Sequence, residues 1–212
     1  ARLAQRPGVT LSVVARGETL LQLQAHGLQL HSGDQTQFAK VQASAQPATL
    51  GIQDLVIIAV KAPSMPDVAK QIQPLIGPNT IVMTAMNGVP WWFLQGFGGV
   101  YANTPLKSVD PHGQIGTAIP AQHLIGCVVH ASCSLRAPGQ VQHHFGNGLI
   151  IGEPAGGSSA RVQALHQLLR DAGFEATLSE RIQKDVWYKL WGNMTINPIS
   201  ALTGATSDKI LN

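Results

Sequence analysis

The chain has 212 residues, enough for one large domain or for one domain and part of a second. Charged residues make up only 12% and hydrophobic residues 44%, which excludes intrinsic disorder and a solvent-bridging coiled coil. The net charge of +3 carries no basic cluster and so no nucleic-acid footprint, and no apolar run approaches the ~20 residues of a membrane helix.

In chain order, residues 9–15 are β-branched and bounded by Pro7-Gly8 and Gly17, which predicts a strand. A short helix over 18–26 follows, with Gly27 in the position after its end. Short strands are expected at 28–31 and 38–43. The continuous apolar run at 54–60 has the pattern of a parallel strand buried on both faces. Residues 64–76 predict a helix: Ser64 caps it, Pro66 stands in its first turn, and Val68, Ile72, Leu75 and Ile76 form its apolar face. A second buried strand is expected at 80–85. Trp91-Trp92 then reads as a hydrophobic anchor for a short helix.

The pattern changes after residue 120. Strands are expected at 124–135, 140–145 and 149–151, joined by turns at Pro138-Gly139 and Gly146-Asn147-Gly148, as an antiparallel addition to the sheet edge. A helix over 161–172 ends at Gly173, a last strand covers 175–178, and 180–203 is helical throughout. The expected architecture is α/β, a doubly wound (Rossmann-like), mostly parallel sheet with an antiparallel addition. Residues 1–179 form this unit, and 180–212 open an all-helical domain. No leader follows Ala1-Arg2-Leu3-Ala4. Cys127 and Cys133 would stand ~20 Å apart along one strand, too far for a disulfide, so a reducing cytoplasm is expected.

Three features could carry chemistry. Arg16 follows the first strand, where a dinucleotide fold places an arginine to accommodate the 2′-phosphate of NADP; an ordinary surface arginine is the plain alternative. Lys61 and Asn87 end two adjacent parallel strands and point toward one crevice, although a strand-end charge and an Asn-Gly turn have simpler readings. The third feature is strongest. At 100° per residue, Lys189, Asn193 and Asn197 fall within an arc of about 80° on one helix. An ammonium there can polarise a carbonyl and protonate the alkoxide left by hydride attack, and the amides can hold hydroxyl and carboxylate groups. Trp187, Trp191 and Met194 lie on the opposite side, free to pack. The plain alternative for Lys189 is an exposed pair with Asp185. The histidines have no ligand spacing, and adjacent His143 and His144 face opposite ways on a strand, so no metal is expected.

Together these residues resemble the ketopantoate reductase (2-dehydropantoate 2-reductase) family: the strand ending in Arg16, Ala59-Val60-Lys61-Ala62, Asn87-Gly88, the 143–153 hairpin and, most specifically, Lys189-Leu190 with Asn193, Asn197-Pro198 and Ala201-Leu202. The resemblance implies reduction of ketopantoate to pantoate in pantothenate biosynthesis, with a hydride from NADPH and a proton from Lys189. Asn193 and Asn197 become substrate-binding residues, and Arg16, Lys61 and Asn87 NADP(H)-binding ones. It also implies a small-molecule 2-oxo acid as partner, no nucleic acid or membrane, and a homodimer formed through the helical domain. The family's first strand, its glycine loop and most of its helical domain have no counterpart in the chain, so the chain alone is expected to bind the pyrophosphate weakly. Where the family has a further asparagine, this chain has Ser207. A reductase of another branched 2-oxo acid, and a non-catalytic NADPH-binding protein on the same fold, are the alternatives.

Overall fold

The alternation of side chains along two adjacent strands divides the core. Val82, Leu124 and Val128 face one way, and Met83, Ile125 and Cys127 the other. Each set is covered by helices, which is the doubly wound arrangement expected. The computed structural model describes residues 1–211; Asn212, the last residue of the expected helical segment, lies outside them.

The elements are β1 (Ser12–Val14), α1 (Gly17–His26), β2 (Leu28–Ser32), β3 (Gln35–Ala39), β4 (Gln42–Ser44), β5 (Leu55–Ile58), α2 (Met65–Gln71), β6 (Ile81–Ala85), α3 (Gln114–Ala118), β7 (Leu124–Ala137), β8 (Gln140–Gly152), α4 (Ala160–Asp171), β9 (Glu175–Leu178), α5 (Ile182–Thr203) and α6 (Ser207–Ile210). The large sheet runs β3-β2-β8-β7-β6-β5, with β9 also on β8, and β1 pairs with β4 in a separate two-stranded sheet. The β5-β6, β6-β7, β2-β8, β8-β9 and β1-β4 pairs are parallel; only β2-β3 and β7-β8 are antiparallel. Helix α2, the turns at 91–96 and the root of α5 cover one face, and α4 covers the other.

Several sequence expectations are corrected. The first strand is three residues rather than seven. The single strand expected at 38–43 divides, because β3 belongs to the large sheet and β4 to the small one. The apolar run at 54–60 is not buried on both faces: β5 is an edge strand, with Ile58 buried but Ile57 38% exposed. The helix expected at 64–76 reduces to α2 between two 3-10 turns, since Pro63 and Pro74 each remove a main-chain donor, and Ser64 makes no side-chain cap.

The largest correction concerns the hairpin. Pro138-Gly139 is its turn, but Gly146-Asn147-Gly148 is no turn. Strand β8 runs straight through it, and the register with β7 shifts between His130 and Ser132. Gly146 takes φ 76°, and a Cβ there would stand 2.5 Å from the carbonyl oxygen of His130, so this is a bulge that only glycine fits. The antiparallel pair also lies inside the sheet, not at its edge. One end of β8 receives β2 and the other receives β9.

Trp91 and Trp92 are buried as expected, in a run of turns rather than a helix, and the Trp92 indole donates to Thr84 Oγ1 at 3.1 Å. The stretch 180–203 forms one helix, α5, with Pro198 inside it. Its packing differs from expectation. Only Ile182, Gln183 and Val186 are buried, whereas Trp187, Trp191 and Met194 are more than half exposed. The helix meets the sheet at its root and then leaves it, so the aromatic side has no described element to pack on beyond Phe93, whose ring lies 6.1 Å from Trp187.

Candidate active site

Parallel strands β5 and β6 end side by side against β7, which continues past them, and open α/β sheets bind ligands beyond such carboxyl ends. A cavity of about 20 Å³, room for one water, lies there. Its lining includes Ala62, Thr84, Asn87, Gly88, Cys127 and Val186. Lys61 immediately precedes Ala62 as an exposed residue. Asn87 is exposed at the end of β6, where Gly88 turns the chain with φ 90°. The sequence predicts that Lys61 and Asn87 share one crevice; Asn87 lines this cavity, and Lys61 is not among its lining residues.

Helix α5 enters the same place from below. Gly126 of β7 makes this possible: a Cβ there would lie 2.5 Å from Trp92 and 2.8 Å from Ile182. Gly152 of β8 does the same, since its Cβ would meet Ser179 O at 2.7 Å. The buried amide of Gln183 then ties the helix root to two loops, donating to Gln95 O at 3.0 Å and Pro154 O at 2.5 Å. The clamp carries Lys189, three residues beyond Val186, to Val129 within β7.

Lys189 is half-buried and its ammonium donates to the carbonyl of Val129 on β7. Desolvation by burial lowers its pKa from the ordinary 10.5, and the neighbouring Cys127 opposes that shift. Burial in turn pushes the Cys127 thiol up to about 12, so it stands as a neutral group beside the ammonium. The plain reading of Lys189 as a surface partner of Asp185 fails. Asp185 accepts from Ser179 Oγ instead, and among the described residues Lys189 is in no ion pair. A partly desolvated ammonium held on one neutral carbonyl can move to a substrate oxygen at low cost.

The remaining sequence candidates are dispersed. Asn193, half-buried, and Asn197, exposed, continue the Lys189 stripe along α5, and neither amide is hydrogen-bonded within the described residues. Arg16 stands apart, at the N-terminus of α1, with Nη2 donating to Gln71 Oε1 of α2 at 3.1 Å. His143 and His144 face different partners, Ser32 Oγ at 3.0 Å and Ser134 Oγ at 2.9 Å. No group of three metal-ligating side chains occurs among the described residues. Both cysteines are free.

Sequence reading missed two things. Cys127 was weighed only as a disulfide partner, yet it lines the cavity next to Lys189. The buried carboxylate of Glu153 was also overlooked. It takes Arg161 at 2.5 and 2.8 Å and Ser159 Oγ at 2.5 Å, and Arg161 also donates to the carbonyls of Gln122 and Leu124. Burial works against that charge, but the Arg161 and Ser159 bonds outweigh it and hold the carboxyl below its usual range. Ser159 opening a helix, with Arg161 two residues on, was the available signal.

The chain is similar to known proteins along nearly its whole length. The family model described as Ketopantoate reductase PanE/ApbA matches residues 1–95. The 2-dehydropantoate 2-reductase of Mesorhizobium japonicum is 44% identical over 206 residues, 97% of this chain and 63% of that protein. A crystal structure provisionally identified as a ketopantoate reductase, from Ralstonia solanacearum MolK2, is 52% identical with a TM-score of 0.95, covering 99% of this chain and 65% of the other. The structure of 2-dehydropantoate 2-reductase from Geobacter metallireducens, 23% identical with a TM-score of 0.80, shares the fold. The chain thus spans a little under two thirds of the length of these relatives. No helix among the described residues is long and apolar enough to cross a membrane. By these likenesses the chain is similar to ketopantoate reductases along nearly all of its own length.

Proposed function

We propose that the protein containing this chain is an NADP-dependent oxidoreductase that reduces ketopantoate to pantoate. The observation that carries the reading is the partly desolvated ammonium of Lys189, in no ion pair among the described residues and resting on the Val129 carbonyl of β7, two residues past the Cys127 that lines the cavity bordered by Asn87. Residues 1–179 are the dinucleotide-binding unit, and α5 opens the substrate-binding helical domain.

The residues present fit a phosphorylated nicotinamide cofactor. Arg16 and Lys61 are exposed, and neither is engaged in an ion pair among the described residues, so both charges are free for phosphate. Asn87 offers an amide at the crevice. When bound there, NADPH supplies the hydride to the 2-oxo carbon of the substrate. Lys189 polarises the carbonyl and gives its proton to the oxygen as charge develops. Asn193 and Asn197, one and two turns further along the helix, hold the hydroxyl and carboxylate groups that orient the keto acid.

Lys189→Ala in the full-length protein tests this. Turnover should fall by about 10²–10⁴-fold, the usual worth of a general acid, while the Kd for NADPH stays unchanged. Near-normal turnover would overturn the assignment. Ranking ketopantoate against other branched 2-oxo acids by kcat/KM tests the substrate.

A further inference from the structure

We infer that Gln71 is a positioning residue for Arg16 and thereby sets the preference for NADPH over NADH; the inference rests on the reading of Arg16 as the 2′-phosphate contact. Arg16 follows β1 by two residues and precedes α1 directly, whereas Gln71 is the last residue of α2, which follows β5. Their bond, at 3.1 Å across 55 residues of sequence, joins the two-stranded sheet to the helix beside the large one.

The chemistry of the pair suits an anion receptor. A guanidinium has five donors in a rigid fork. One is spent on a neutral amide oxygen, so the remaining donors and the whole charge stay available. A carboxylate in the same place would have neutralised the arginine. Lys70, next to Gln71, is turned to Asp67 at 3.6 Å and adds no competing charge at Arg16. Gln71 holds the arginine through Oε1, which leaves its own Nε2 as a second donor for a phosphate oxygen. Arginine carries much rotamer freedom, and fixing it before the ligand arrives lowers the entropy cost of binding. NADH, with a hydroxyl in place of that phosphate, gains nothing from the arrangement.

The test measures Kd for NADPH and for NADH by fluorescence titration on the full-length protein and its Gln71→Ala, Gln71→Glu and Arg16→Ala variants. Gln71→Ala should weaken NADPH about threefold to tenfold, the value of one such hydrogen bond, and leave NADH unchanged. Gln71→Glu should weaken NADPH further, because its carboxylate captures Arg16 and repels the phosphate. If Arg16→Ala abolishes the NADPH preference while both Gln71 variants retain it, the role of Gln71 is overturned and that of Arg16 stands. If Arg16→Ala also leaves the preference intact, the 2′-phosphate reading of Arg16 fails, and the inference with it. Arg16 is exposed and Gln71 half-buried, and thermal melting of each variant checks that the fold is kept.

Discussion

The ammonium of Lys189 rests on the main-chain carbonyl of Val129, 60 residues earlier in the chain. This contact places the end of a helical stripe against the centre of the sheet. It also makes Lys189 a reporter of its own surroundings.

Burial lowers the Lys189 pKa below 10.5, so the unfolded chain holds that proton more tightly than the folded one. Between the lowered value and 10.5, stability must therefore rise with pH, and below that window the full cost of the buried charge is present. Lys189→Met should remove this alkaline rise in Tm, whatever it does to Tm at neutral pH. A variant that kept the rise would place the titration on another group.

Glu153 behaves in the opposite sense. Its carboxyl is held below the usual 4.5 by Arg161 and Ser159 against the cost of burial, so its contribution is present above 4.5 and lost as pH falls through the lowered value. Arg161→Met leaves the buried carboxylate without its cation and should cost about 2–4 kcal/mol in urea denaturation at pH 7. Glu153→Gln should flatten the acid limb of the stability curve. An Arg161→Met protein as stable as the parent would show that the clamp is dispensable.

Gly126→Ala forces a methyl group into Trp92 and Ile182. Overpacking of this kind should cost about 1–3 kcal/mol and lower kcat along with stability, since α5 carries Lys189. Gly148→Ala is the control: its Cβ would meet the Cβ of His130 at 3.2 Å and the His130 carbonyl oxygen at 3.8 Å, without the overlap found at Gly126. Equal behaviour of the two variants would argue against the tight seat of α5.

Asn193→Ala and Asn197→Ala remove amides that have no hydrogen-bond partner among the described residues, so neither should disturb folding. Each should raise KM for the keto acid by about tenfold, as expected for one or two lost hydrogen bonds to charged groups. Unchanged KM in both would remove the asparagines from the site.

Local pattern was the part of the fold that could be read directly. Strand β9 lies at 175–178 as expected, α1 begins one residue earlier, and Leu165 and Leu169 of α4 are buried. What failed depended on neighbours distant in sequence. An apolar run does not say whether it is central or edge, and β5 proved to be an edge. Gly146 and Gly148 have turn chemistry, but the partner that makes them a bulge is His130, across the hairpin. In the site, helical spacing revealed the Lys189 stripe, because spacing is local. The Val129 carbonyl, the Cys127 thiol and the Gln71 amide were invisible because each meets its partner only through the tertiary fold.

The long hairpin of β7 and β8 has a consequence in time rather than in space. Its two strands are joined by the short Pro138-Gly139 turn, so their pairing needs almost no loop closure. By contrast, the β2-β8 pairing must close a loop of roughly 100 residues and the β6-β7 pairing one of roughly 40. The hairpin can therefore assemble early and present both of its outer edges as a template. Substitutions in its turn should slow refolding, whereas those at the β2 junction should mainly speed unfolding.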